Sequence, residues 1–121
     1  MKRLVVLLLM LCLMAVLLMA NNAVLYDRAT RLASLLADVQ DKSATFSADT
    51  WKHVANEALN DAAKLYLNRT PKTDSDVKEA RKHVREMYNA AFKGDAEGAK
   101  SHAALALPFV YKIIDATGPK K

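Results

Sequence analysis

The sequence predicts an all-α protein: an up-down four-helix bundle preceded by an N-terminal apolar helix that is a transmembrane segment or signal anchor. Beyond residue 22, apolar residues recur at steps of three and four, which is the period of a helix face. Turn residues separate these periodic segments, and none of them alternates as a strand does. An unbroken run of 17 apolar residues, Leu4 to Ala20, precedes them. We therefore divide the chain into an anchor or targeting segment (1–22) and a bundle domain (23–121).

The N-terminal run predicts where the bundle resides. Lys2 and Arg3 stand before it, the order of a charged n-region and an apolar h-region. Basic residues stay on the side of synthesis, so we expect a membrane-anchored protein with its bundle on the far, periplasmic or extracellular, side of the membrane.

Whether this segment is retained is left open, with an uncleaved anchor as the favoured interpretation. Leu4 to Leu25, interrupted only by two asparagines, has 22 residues. At about 1.5 Å per residue, that length crosses the roughly 30 Å of bilayer hydrocarbon. Cleavage after Ala20 or Ala23 would put Leu18 or Asn21 at the −3 position, where a small residue is preferred.

The first two bundle helices are predicted from apolar stripes. The first stripe contains Leu25, Ala29, Leu32, Leu36 and Val39. Residues 41–49 then break the pattern and supply several possible helix caps. The second stripe contains Trp51, Ala55, Ala58, Ala62 and Leu65. Its helix is expected to end near Thr70, because the following proline disfavours helical backbone there.

The third and fourth helices are predicted in the same way. Thr73 to Asp76 resembles a capping box, and the stripe after it contains Val77, Ala80, Val84, Met87 and Ala91. Lys93-Gly94-Asp95 is typical of a helix end followed at once by a new N-cap. The fourth stripe contains Ala99, Ala103, Ala106, Val110 and Ile113. We expect Pro108 to kink this helix near Ala104, and the alanine-rich second and fourth helices to approach each other closely.

Composition excludes several classes of protein. Cys12 is the only cysteine and lies in the apolar run, so the bundle holds no disulfide, thiolate zinc site or iron–sulfur cluster. Only three glycines occur, and none forms a phosphate-binding loop. Without Lys2 and Arg3, 16 basic residues face 13 acidic ones, too small an excess to indicate nucleic acid. No catalytic constellation stands out, so we predict a protein that is not an enzyme and needs no cofactor.

Two sets of residues are candidates for binding. The first set follows the outer face of the third helix and is predicted to dock on an acidic partner: Lys78, Arg81, Lys82 and Arg85. An ordinary solvated helix face is the other interpretation of this set. The second set is His83 and His102, which flank their stripes about 6 Å apart along the bundle. They support the alternative function, an exported small metal- or haem-binding helical bundle, although no carboxylate is expected beside them.

Residues 51–114 carry a family resemblance. A tryptophan opens the second helix in Trp51-Lys52-His53-Val54, and that helix ends in Leu65-Tyr66-Leu67. The loop Pro71-Lys72 follows, and Ala91-Phe92-Lys93-Gly94-Asp95 forms the last turn. In these features the segment resembles the PsbQ-like extrinsic subunits of oxygenic photosynthesis, which are lumenal four-helix bundles. The chain departs from that family in its apolar segment, because such subunits are usually cleaved or lipidated.

The resemblance implies a function for the chain. It would be a non-catalytic accessory or structural subunit of a membrane complex, a lumenal photosystem subunit that stabilises the complex or links antenna to core. Its partners would be protein subunits, chlorophyll-binding ones among them, and its compartment the thylakoid lumen. No metal or cofactor is implied.

Overall fold

A computed structural model of the chain describes residues 2–119, and within this range the protein is all-helical. The described residues form four α-helices and no strand, as the sequence predicts. The elements are α1 (Lys2–Lys42), a 3₁₀ turn (Ser43–Thr45), α2 (Ala48–Leu67), α3 (Asp74–Phe92) and α4 (Ala96–Thr117).

Helix α1 has two parts with different surroundings. From Leu4 to Met19 its large apolar side chains are 47–71% exposed, whereas Leu25, Leu32 and Leu36 are fully buried in the bundle. The helix passes residue 22 without a break, so the two predicted regions share one helix. By length and composition, its N-terminal part is apolar enough to cross a membrane, a property that membrane anchors and signal sequences share.

The core is built from the predicted stripes. Every residue of all four stripes is buried, from Leu25 in α1 to Ile113 in α4. Ala33, Val54 and Ala90 extend the same surface. The 3.6-residue helical period therefore identified the buried face of each helix correctly.

Each helix packs against two neighbours. The contacting pairs are α1 with α2, α2 with α3, α3 with α4, and α4 with α1. The expected close approach of the second and fourth helices is wrong, since α2 and α4 share no comparable interface. The alanines of α4, such as Ala103 and Ala106, instead lie where α3 and α1 flank this helix, and α3 and α4 form the most extensive interface.

One end of the bundle lies beside the apolar segment. Leu18 and Asn22 of α1 line a crevice together with Pro71 and Thr73 from the α2–α3 loop and Ala116 near the end of α4. The end of α2, the start of α3 and the end of α4 therefore share the end of the bundle nearest this segment.

The helix ends follow local sequence signals, with one exception. Ser47 caps α2 by accepting from the Thr50 amide at 3.1 Å, and Asp95 caps α4 by accepting from the Gly98 amide at 2.9 Å. Gly94 has a φ of +77°, and the Asp95 amide donates to the Ala90 carbonyl at 2.9 Å, which is a Schellman-type ending of α3.

The exception is the start of α3. The Thr73 hydroxyl does not cap the helix. It accepts instead from the Thr70 amide at 2.9 Å and is buried. The helix begins where it was predicted to, but the threonine holds the preceding turn together.

Helix α4 continues through Pro108. The proline nitrogen cannot donate to the carbonyl four residues earlier. That residue, Ala104, is exposed, as is Pro108 itself, so water can hydrogen-bond the free carbonyl.

Among residues 2–119, a single carboxylate is buried between helices. Asp61 of α2 is 2% exposed, and its Oδ1 atom lies 3.4 Å from Nη1 of Arg28 on α1. Its Oδ2 atom has no hydrogen-bond partner among the described residues. Burial raises the pKa of Asp61, and the nearby guanidinium groups of Arg31 and Arg28 oppose this only in part.

The raised pKa of Asp61 predicts that the stability of the folded protein depends on pH. The raised pKa means that the folded protein binds this proton more tightly than the unfolded chain, so its contribution to stability is present below about pH 3.8 and is lost as pH rises through the raised pKa. We expect Asp61→Asn to gain stability relative to wild type as pH rises, measured by thermal unfolding of the full chain in detergent.

A variant of Asp74 should change the pH dependence of stability in the opposite direction. Asp74 has a lowered pKa because Lys78 hydrogen-bonds its carboxylate, with Arg69 also contributing. Its stabilising contribution is present above about pH 3.8 and is lost as pH falls through the lowered pKa, so wild type should gain on Asp74→Asn as pH rises. If the stability of wild type also rose relative to that of Asp61→Asn as pH increased, the ion pair with Arg28 would affect the pKa of Asp61 more strongly than burial does.

Candidate functional site

The four basic residues predicted to dock a partner border one surface cleft. The cleft has a volume of about 630 Å³ and lies between α2 and α3. Leu59 and Tyr66 of α2 form one wall. The other wall is formed by α3, with Lys78, Arg81, Lys82 and Arg85 along it, followed by Glu86, Tyr88 and Asn89. We call this surface the basic cleft.

Two of the four cations are engaged within the protein. The Lys78 ammonium lies 3.0 Å from Oδ2 of Asp74, and Oδ1 of the same carboxylate accepts from Nε of Arg69 at 2.9 Å. The Arg81 guanidinium lies over the Tyr66 ring, 4.3 Å from its centroid, and Arg69 lies over the same ring at 3.8 Å. These contacts hold both side chains against the protein, and the ion pair with Asp74 also offsets the charge of Lys78.

The other two cations are free in the described part of the chain. Lys82 and Arg85 are exposed, and neither has an acidic group of residues 2–119 within salt-bridge distance. Both line the α3 wall of the cleft, where an incoming carboxylate would meet two cations that have no ion pair within the described residues. Within the described residues, two of the four predicted side chains, Lys82 and Arg85, thus have neither an ion pair nor an aromatic contact.

A different cluster lies where α3 meets α4, and it shares Glu86 with the basic cleft. His83 and Glu86 of α3 meet His102 of α4, with one possible ligand atom from each residue within 4.8 Å of the others. Nδ1 of His102 lies 2.8 Å from Oε2 of Glu86, and Nδ1 of His83 lies 3.6 Å from the same oxygen. We call these three residues the His–Glu cluster.

The surroundings of the cluster hold His83 in place. Its ring stacks on Phe109 of α4, with centroids 6.0 Å apart and planes inclined by 18°. Its side chain is only 14% exposed, and its Nε2 atom lies 3.8 Å from Oε2 of Glu79. His102 is more open at 32% exposed, so the cluster has one buried side and one side toward solvent.

The sequence pattern identified the two histidines but not the carboxylate between them. Glu86 is three residues after His83, a spacing that places both on one side of a helix. The spacing of His83 and Glu86 could have indicated a carboxylate ligand from the sequence. It could not show that α4 would bring His102 to the same carboxylate. His53 lies elsewhere, exposed on α2.

Comparisons with known proteins give no relatives. No protein-family model, no curated protein and no solved structure matches the chain. The family resemblance of residues 51–114 therefore stays a prediction.

Proposed function

We propose that the chain is a non-catalytic accessory subunit that is anchored in a membrane by α1 and docks on an acidic protein partner through the basic cleft. The observation that carries this proposal is the pair Lys82 and Arg85, which are exposed and have no acidic group of residues 2–119 within salt-bridge distance. Charges of one sign beside a cleft steer a partner of opposite sign and fix its orientation.

The proposal includes an up-down arrangement of the four helices. Its support is that consecutive helices are in contact and are joined by short loops. In addition, the start of α3 and the ends of α2 and α4 lie beside the apolar segment from which α1 departs. Alternating directions satisfy both observations.

This arrangement places the basic cleft near the membrane. Lys82 and Arg85 follow Thr73 by 9 and 12 residues along α3. At a rise of about 1.5 Å per residue, they would stand roughly 14–18 Å beyond the end of the bundle beside the apolar segment. A partner at that height is the extramembrane part of a membrane protein, or a subunit bound to one.

Within this function, the PsbQ-like resemblance supplies the most specific version. In that version the partner belongs to a photosystem, the bundle lies in the thylakoid lumen, and chlorophyll-binding subunits are isolated with it. If the chain is not a photosystem subunit, the same docking function would apply to a periplasmic complex that contains an acidic subunit.

Charge reversal in the cleft tests the proposal. Full-length protein is extracted from its native membranes in mild detergent, and the amount recovered in a discrete larger complex is compared between variants. We expect Lys82→Glu/Arg85→Glu to lower this amount about ten-fold at low salt, because two attractive contacts become repulsive. Wild type should lose the complex at about 1 M salt, where the Debye length is roughly 3 Å.

The matched control reverses two charges elsewhere. Lys100 and Lys112 are exposed on α4, and Lys100→Glu/Lys112→Glu changes the net charge by the same amount. We expect this variant to keep the complex. Equal loss in both double variants would show that only overall charge matters, and a salt-resistant complex would refute electrostatic docking.

A further inference from the structure

We propose that the His–Glu cluster is a metal site that binds a divalent first-row transition ion, Zn²⁺ in particular, between α3 and α4. His83, Glu86 and His102 would supply one ligand each, and water would complete the coordination sphere. The site lies where α3 meets α4 and shares only Glu86 with the lining of the basic cleft, and it does not depend on the docking function. The favoured expectation from the sequence was a protein without a metal, and this site instead corresponds to the alternative based on His83 and His102.

The spacing of the ligand atoms suits a small ion. Zinc binds histidine nitrogen at about 2.0–2.1 Å and carboxylate oxygen at about 2.0–2.2 Å in tetrahedral geometry, which places neighbouring ligand atoms roughly 3.3–3.5 Å apart. The distances from Oε2 of Glu86 to the two Nδ1 atoms, 2.8 and 3.6 Å, lie on either side of that value. All three ligand atoms lie within 4.8 Å of one another, so small side-chain rotations bring them to one ion.

The two Nδ1 atoms need a partner that the described protein does not provide. Both are buried, and neither makes a hydrogen bond with the described residues. Nδ1 of His102 lies 2.8 Å from Oε2 of Glu86 without the alignment of a hydrogen bond. Buried polar atoms normally have partners, and an ion bound by both nitrogens and the carboxylate would provide one for each.

Further residues suit a metal-binding histidine. Such a histidine usually presents its second nitrogen to a carboxylate, which orients the ring. Glu79 occupies this position for His83, with its Oε2 atom 3.8 Å from Nε2. Phe109 limits ring rotation from the other helix. We therefore assign Glu79 as a positioning residue and not as a ligand.

The geometry favours an ion over haem. A porphyrin held by both histidines would need the space between the two imidazoles, and the Glu86 carboxylate occupies that space. Two imidazoles and one carboxylate are ligands that Zn²⁺ accepts with an open fourth position. Cu²⁺ and Ni²⁺ also bind imidazole well and are natural competitors.

Isothermal titration with ZnCl₂ tests the proposal on tag-free, full-length protein in detergent. All proteins carry Cys12→Ser, because that exposed thiol would itself bind zinc. We expect one zinc per chain, with affinity falling at least ten-fold in Glu86→Gln and in His102→Gln. Glu79→Gln should give a smaller loss at unchanged stoichiometry.

His53→Gln is the matched control, since it removes an exposed histidine from α2 outside the cluster. It should bind as wild type does, and the helical circular dichroism of every variant should match wild type before zinc is added. Saturating zinc should also raise the melting temperature of wild type and of His53→Gln, but not of His102→Gln, because a ligand bound only by the folded state stabilises it. Absence of stoichiometric binding in wild type, or equal affinity in wild type and His102→Gln, would overturn the proposal.

Discussion

Replacing Trp51 by alanine is expected to lower the free energy of unfolding by about 3–5 kcal/mol, the cost typical of deleting a buried aromatic side chain. The indole is 9% exposed and meets the Phe46 ring edge-on, with centroids 5.2 Å apart and planes at 79°. It lies at the start of α2, next to the turn from α1. A loss of this size is a large share of the stability of a domain of this length, which is about 5–15 kcal/mol.

Chemical denaturation of the full chain in detergent, followed by circular dichroism, measures this cost. Tyr111→Ala is the control, because this aromatic side chain on α4 is 50% exposed. We expect that change to cost less than about 1 kcal/mol, as surface substitutions do. If Trp51→Ala were equally mild, the indole would not support the core and would instead be available as a contact for a partner.

The second large effect concerns the anchor. Replacing Leu8 and Leu11 by arginine should release the protein from the membrane. Each arginine at the centre of a spanning helix costs about 2.5–3.5 kcal/mol, so the pair opposes insertion by roughly 5–7 kcal/mol. Wild type should stay in the membrane pellet after washing with alkaline carbonate, and the double variant should appear in the supernatant.

The same charges placed in the second part of α1 provide the control. Thr30 and Ser34 are exposed on the bundle portion of the helix, and Thr30→Arg/Ser34→Arg should leave the protein in the pellet. Intact mass of the wild-type protein distinguishes the two interpretations of the apolar segment. A chain beginning near Asn21 or Val24 would identify a cleaved signal and remove the anchor from the proposed function.

Several features of this protein follow from the sequence alone because they depend on neighbours within one or two helical turns. The stripe from Val77 to Ala91 needs only the helical period, and the turn at Gly94 needs only a residue that accepts positive φ. The cap at Asp95 is equally local. These signals act before any helix meets another, and the structure agrees with each of them.

Other features were decided by tertiary structure because they depend on which helices are neighbours and how each is rotated. The sequence places Arg81 and Lys82 on one basic face, but only the packing of α2 on α3 brings the first over the Tyr66 ring. The sequence contains Glu86 three residues after His83, but only the packing of α4 on α3 brings His102 to that carboxylate. Helical period determines which residues face inward, while contacts across helices are fixed by the relative rotation and height of two helices, which no single stripe specifies.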